Sequence, residues 1–128
     1  MNITPEVMKL IEKTDHALEV AEILFEQGYS SDSASKVYYA MFYAAQALLK
    51  SEEIEVTKHS AVESALGYYF AKPGRLDSKY HKMFINARKI REIADYDIQE
   101  EIVEPVANLK LEEGREFISV IRKMLGMD

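Results

Sequence analysis

Between Ala34 and Leu49 the sequence leaves few positions that prefer water. Ala34, Val37, Tyr38, Met41, Phe42, Ala45, Leu48 and Leu49 recur at the three-and-four spacing of one helical face, and Tyr39, Ala40, Tyr43, Ala44 and Ala47 fill most of the remainder. A helix that is apolar on nearly all sides has to be surrounded, so this segment predicts a central helix with more than one helical neighbour. Its alanines let those neighbours approach closely, and its tyrosines suit surfaces that are apolar along the ring and wet at the hydroxyl. The run Tyr29-Ser30-Ser31-Asp32-Ser33, rich in capping residues, precedes the helix, which is expected to reach about Lys50.

The flanking segments supply the neighbours. Thr4-Pro5-Glu6 has the chemistry of a helix start: a hydroxyl acceptor, a proline tolerated in the first turn and a carboxylate near the dipole's positive end. Val7, Leu10, Ile11, Thr14, Ala17, Leu18, Ala21, Leu24 and Phe25 keep helical spacing up to Gly28, a left-handed C-cap that should stop the first helix near Gln27. After the charged connection Ser51–Glu55, Thr57 is expected to cap a third helix carrying Val62, Ala65, Leu66, Tyr69 and Phe70, which Pro73-Gly74 ends. A fourth helix, capped by Asp77 or Ser78, runs to about Tyr96. Pro105 then suits the first turn of a fifth, with the row Val106, Leu109, Glu113, Phe117, Val120, Ile121 and Met124 and a Gly114 that costs on the order of 1 kcal/mol relative to alanine. No segment alternates with a period of two, so no strand is expected. The fold class is all-α: an up-and-down bundle of four helices with an additional or shorter fifth.

At 128 residues, the chain suits a single domain, residues 1–128, with one core. No eighteen-residue apolar run occurs, and the first residues do not combine a basic patch with an apolar stretch, which argues against a membrane span or a secretory leader. With no cysteine, disulfides and thiolate metal sites are excluded and a cytoplasmic location is the default. No histidine spacing points to a metal, and His16 and His81 read as surface residues. A net charge of −6 argues against a protein that coats nucleic acid, whose binding rests on phosphate neutralisation. The charge is uneven, however. Lys72 to Arg91 holds seven basic residues against Asp77 alone, whereas acidic residues dominate from Asp97 to Glu116.

Potential chemistry is concentrated at Asn86-Ala87-Arg88-Lys89-Ile90-Arg91-Glu92-Ile93-Ala94-Asp95-Tyr96-Asp97. Met83, Ala87, Ile90 and Ala94 form an apolar row, and Arg88, Arg91 and Asp95, separated by three and four residues, share the flank beside it. Two guanidinium groups on one flank could clamp a phosphate by charge-assisted, bidentate hydrogen bonds. The plainer alternative is a pair of intrahelical contacts, Arg91 to Asp95 and Arg88 to Glu92, worth a few tenths of a kcal/mol, about 0.2–0.5 each. Tyr96 lies roughly 140° round an ideal helix from Arg91, so it reaches the same place only if the helix end loosens or a second subunit contributes. His59, at the start of the third helix, could hold an anion as an imidazolium or act as a cap. Tyr38, Tyr39 and Tyr43 could stack a base, although helical aromatic rows usually serve a core.

The run Ser33-Ala34-Ser35-Lys36-Val37-Tyr38-Tyr39-Ala40-Met41-Phe42-Tyr43-Ala44-Ala45, the pair Lys58-His59, and Arg88 through Tyr96 with Ala94-Asp95-Tyr96-Asp97 together resemble the HEPN superfamily, in particular its stand-alone prokaryotic members. The likeness covers most of the chain in order, spacing and length. It implies a bundle of four or five helices that dimerises, with a nucleotide- or RNA-facing cleft at the dimer interface. Many members of that superfamily are metal-independent endoribonucleases encoded beside a minimal nucleotidyltransferase in toxin–antitoxin pairs, and their motif is Arg, four to six residues, then His. Arg91 matches the arginine, but Tyr96 stands five positions later, no histidine follows His81, and Ile98 occupies the place of a tyrosine found in one motif variant. An unperturbed phenol titrates near 10, and loss of a proton-transfer group costs about 10²- to 10⁴-fold in rate.

The expectation is therefore a homodimeric nucleotide- or RNA-binding regulatory module, the partner of a nucleotidyltransferase, needing no cofactor. Arg88, Arg91, Asp95 and His59 would form its phosphate site, with Asp95 orienting Arg91. One alternative is an endoribonuclease in which Arg91 acts with Tyr96, or His59, in place of the missing histidine. Another is a structural bundle whose tyrosines and apolar residues pair helices between subunits.

Overall fold

Thr4 Oγ1 accepts a hydrogen bond from the Val7 amide at 3.2 Å, and with Pro5 in the first turn this capping leads the chain into α1 (Pro5–Glu26). The computed structural model describes residues 1–127. Gln27 closes α1, and Gly28 takes the left-handed conformation at φ +87°, letting Tyr29 N donate back to the Leu24 carbonyl at 2.9 Å. α2 (Ser30–Ser51) begins directly after this turn. Then follow α3 (His59–Leu66), α4 (Ser78–Tyr96) and α5 (Glu104–Met124). The described residues contain helices and no strand.

The central place expected of the second helix is observed, since α2 packs against α1, α3, α4 and α5 and buries thirteen of its 22 residues. Ala40, Ala44, Ala45 and Ala47 are fully buried and let neighbouring backbones come close, while Tyr38, Met41, Leu48 and Leu49 fill the space between them. A second, smaller apolar cluster lies at one end of the bundle. There Ala34, Ile102 and Ala107 are packed by Phe25, Ile90, Ile93 and Ala94, which holds the last turns of α4 against the start of α2.

Three boundaries or faces differ from expectation. Thr57 does not cap α3; Lys58 occupies the cap position without a side-chain bond, and the helix begins at His59. After Leu66 the backbone widens into a π turn, Gly67–Ala71, which keeps Phe70 buried and leaves Tyr68 and Tyr69 exposed. The widening coincides with His81, whose Nε2 donates to the Glu63 carbonyl at 2.9 Å and whose ring would stand 2.6 Å from a Cβ added at Gly67. His81 is thus an inter-helix contact, where the sequence implied a surface histidine. On α5 the buried stripe runs Ala107, Lys110, Leu111, Gly114, Phe117, Ile118 and Ile121. Leu109 is exposed because it sits about 200° round the helix from Leu111.

Gly114 has a packing reason that its helix propensity hides. A Cβ there would lie 2.7 Å from Val37 Cγ1, so the missing side chain sets how closely α5 approaches α2. Gly114→Ala should destabilise the protein by about 1 kcal/mol net in urea denaturation, overpacking outweighing the better helix propensity. Combining it with Val37→Ala should cost less than the sum of the two single changes, because the clashing methyl is then absent.

Candidate functional site

α4 is capped at its start by Asp77, whose carboxylate accepts from the Lys79 amide at 3.0 Å, as expected of one of the two residues suited to that place. It stops at Tyr96 because Asp97 turns the chain: Asp97 Oδ1 accepts from the Gln99 and Glu100 amides, both at 2.9 Å. Those backbone bonds hold the Asp97 carboxyl below the usual carboxylate range. The Ile102 amide then donates to Ser31 Oγ at 2.9 Å, tying the connection to the first turn of α2. The C-terminal half of α4 is thereby laid across the tyrosines of α2.

Arg91 is the centre of this contact. Its side chain is only 12% exposed. The guanidinium carbon lies 5.1 Å from the ring centroid of Tyr38, 5.8 Å from Tyr39 and 5.7 Å from Tyr96, three aromatic faces around one cation. Its polar contacts are sparse. Nη1 stands 3.5 Å from the Tyr96 hydroxyl and 3.8 Å from Asp95 Oδ2, and the buried Nε has no hydrogen-bond partner among the described residues. Tyr96 reaches Arg91 from the same chain because it ends the helix, and at 72% exposure it forms the outer edge of the site.

Arg88, one turn earlier, is differently placed. Nε donates to Glu63 Oε1 at 2.8 Å and Nη1 to Glu92 Oε1 at 2.6 Å, so two carboxylates match its charge and raise its pKa. Both intrahelical pairs anticipated from spacing, Arg88 to Glu92 and Arg91 to Asp95, occur. The tie from Arg88 to α3 through Glu63 was not anticipated, and no local signal in the sequence announces a partner 25 residues away.

His59 joins the site through the tyrosines. Its Nδ1 lies 2.9 Å from the Tyr38 hydroxyl, its ring stacks on Phe42 at 4.2 Å, and the edge of Tyr39 meets it at 5.8 Å. Burial, and then the nearby Arg91 charge, push the imidazole pKa below its ordinary 6.5. His59 is therefore uncharged at neutral pH and would meet an anion as an N–H dipole, whereas the sequence had offered an imidazolium. Tyr38 moves the other way: burial pushes its phenol up to about 12 although Arg91 opposes the shift. At 1% exposure Tyr38 cannot stack a base, while Tyr39 and Tyr43 remain partly accessible.

The arrangement brings Arg91, Asp95, Tyr96 and His59 together around Tyr38 and Tyr39, with Arg88 standing beside it in its own carboxylate clamp. Chemically it is a guanidinium with only long polar contacts, above an aromatic floor. It can take a phosphate oxygen on the cation and a planar ring on Tyr39 or Tyr96.

Residues 7–127 match the HEPN domain family. A protein of Methanocaldococcus jannaschii named "Putative toxin" is 36% identical over 94% of this chain and 82% of its own length. A second "Putative toxin" of the same organism is 31% identical over 97% of this chain and 92% of its own length. A UPF0332 protein of Gloeobacter violaceus is 35% identical over 73% of this chain and 75% of its own length.

Two consequences of the His59 environment are measurable. By NMR titration the imidazole should ionise below 6.5, and Arg91→Ala should move its pKa upward without restoring the ordinary value, because burial, the larger cause, remains. A folded pKa lowered in this way contributes stability that is present above about 6.5 and lost as pH falls through the folded value. The urea midpoint should therefore drop on acidification in that window, and His59→Gln should remove that part of the drop.

Proposed function

The chain belongs to the HEPN domain family, and we propose that within it the protein is a phosphate-recognising module that binds nucleotide or RNA through Arg91. The observation that carries this is the state of that one guanidinium: enclosed by three tyrosines, with no carboxylate among the described residues closer than 3.8 Å. A charge so poorly matched costs stability unless a ligand completes it. Arg88 needs no such ligand, because Glu63 and Glu92 already satisfy it; its part is to hold α3 beside the site. Asp95 orients Arg91, and His59 offers a neutral donor.

The remaining parts of the reading are supported by the family and by the names of the relatives. A homodimer places two Arg91 sites near one interface, with the exposed Tyr96 and Ile98 at its edge. A minimal nucleotidyltransferase is the partner, in a toxin–antitoxin arrangement in a cytoplasmic setting. The "Putative toxin" relatives support that arrangement. Among the described residues no helix is long and apolar enough to cross a membrane.

A second reading has an observation of its own. The Tyr38 hydroxyl, 2.9 Å from Nδ1, can stabilise the His59 tautomer in which Nδ1–H donates to it, leaving a lone pair on Nε2. That is the form a general base needs, and Arg91 and Tyr96 stand across the same tyrosines to meet a phosphate. In this reading the protein is a metal-independent endoribonuclease.

Titration with ATP and with a short single-stranded RNA separates these readings from a purely structural role. Arg91→Ala should weaken both ligands about 10- to 100-fold, the worth of a charge-assisted hydrogen bond, while Arg88→Ala should lower stability by up to about 1 kcal/mol and leave binding largely intact. Equal binding by wild type and Arg91→Ala would remove the phosphate site. RNA left intact after long incubation in chelator supports the binding module; cleavage that disappears in both Arg91→Ala and His59→Gln favours the enzyme.

A further inference from the structure

One accessible stripe remains on α2. From Lys36 to Lys50 every residue is buried except Lys36, Tyr39, Tyr43, Gln46 and Lys50, spaced three and four apart on one face. The stripe spans about 21 Å at 1.5 Å per residue. It starts at the site already described, because Tyr39 is one of the three rings around Arg91.

Four of its members, Lys36, Tyr43, Gln46 and Lys50, line a groove between α1 and α2, with Tyr39 between them on the same helical face. A cavity of about 320 Å³ opens beside Tyr43, with Lys13, His16 and Lys36 on its rim. A second, of about 310 Å³, adjoins it beside Gln46 and Lys50 and shares Lys9 and Lys13 with the first. Lys13 Nζ sits 5.3 Å over the Tyr43 ring, a cation held above an accessible aromatic face. Among the described residues Lys9, Lys13 and Lys36 have no carboxylate within 4.0 Å. The acidic residues of the far rim, Glu6 and Glu55, are engaged by Lys50 at 2.9 and 3.1 Å, which closes that end; Glu12 is the acid left on the near rim.

We infer that the α1–α2 groove is a track for single-stranded RNA, running from the Arg91 site past Tyr39 and Tyr43, with Lys9, Lys13 and Lys36 meeting successive phosphates. This rests on the reading that Arg91 holds a phosphate, and it extends that reading from a single nucleotide to a strand of several. An acidic polypeptide would use the lysines alone. The two ring faces interleaved with cations are what a strand of stacked bases and regularly spaced phosphates requires. The track's length suits the lower end of the roughly 4–16 nucleotides that single-strand-binding folds hold.

The test is fluorescence anisotropy on the full chain with a labelled single-stranded RNA of about eight nucleotides, alongside ATP. The variants are Lys9→Gln/Lys13→Gln/Lys36→Gln, Arg91→Ala, and the charge-matched control Lys72→Gln/Lys79→Gln/Lys82→Gln, which lies outside both cavities. The groove variant should lose RNA affinity about tenfold or more and lower the slope of log affinity against log salt by about 2, while ATP binding and the control stay unchanged. If the groove variant keeps both RNA affinity and slope while Arg91→Ala loses binding, the track is wrong and the Arg91 site survives. If the groove variant alone loses RNA and Arg91→Ala binds both ligands normally, the Arg91 reading falls and with it the track's origin at Arg91, leaving the groove lysines as the RNA contact. Equal losses in the groove variant and the control, or displacement of the RNA by poly-glutamate as readily as by unlabelled RNA, would overturn the track as a nucleic-acid site. Absence of binding to either ligand by the wild type would overturn both ideas together.

Discussion

The hydroxyl of Tyr38 is the constraint around which this molecule is arranged. The side chain is 1% exposed, and a phenol so deep in the bundle has to find a hydrogen-bond partner or cost on the order of 1–3 kcal/mol. His59 supplies it, which fixes where α3 begins relative to α2. The ring faces of Tyr38 are equally committed: Phe84 of α4 stacks at 5.6 Å, Phe117 of α5 continues the series 5.5 Å beyond Phe84, and the Arg91 cation lies at 5.1 Å. One side chain of α2 therefore registers α3 and α4 directly and reaches α5 through Phe84. The same contacts that make the core make the site.

That coupling explains why two arginines three residues apart behave so differently. Arg88 looks away from the aromatic stack toward Glu63 and Glu92, and its charge is spent on holding α3 to α4. Arg91 looks into the stack, where rings replace carboxylates. Cation–π contacts are worth roughly 0.5–2 kcal/mol but leave N–H donors unsatisfied. A structure optimised only for stability would give Arg91 a carboxylate at hydrogen-bond distance. Instead its nearest carboxylate among the described residues, Asp95, stands at 3.8 Å.

Much of the architecture was legible because helix signals are local. Thr4, Gly28, Asp77 and Pro105 mark ends through their own backbone chemistry, and the crowding of apolar residues on α2 announces its central place. What escaped depends on partners distant in the chain. Gly114 reads as a weak point of a helix until Val37 is seen against it. Leu109 reads as core because hydrophobicity says nothing of which stripe meets α2. Tyr96 appears misplaced on an ideal helix, yet a long arginine side chain and the terminal position close the gap. Tyr38 could be counted among surface aromatics only while the depth of its position was unknown. In the candidate site, the different surroundings of Arg91 and Arg88 could not be read from the motif, since they turn on Glu63 from another helix.

Charge is organised in the same way. The basic run from Lys72 to Arg91 looks in sequence like a strong cationic face, but Arg75 is paired with Glu52 and Arg88 with Glu63, so the fold spends much of it on joining helices. In the acidic stretch that follows, Glu113 is met by Lys110 within α5, while Arg115 of that helix crosses to Glu22 of α1. A protein of net charge −6 repels polyanions at long range, so an anionic ligand has to gain its binding free energy from close, shaped contacts. In the proposed reading Arg91 on its tyrosine floor is such a contact, and Lys9, Lys13 and Lys36 line the neighbouring α1–α2 groove. An overall negative field with a narrow positive path favours a ligand that fits the path over one that merely carries charge.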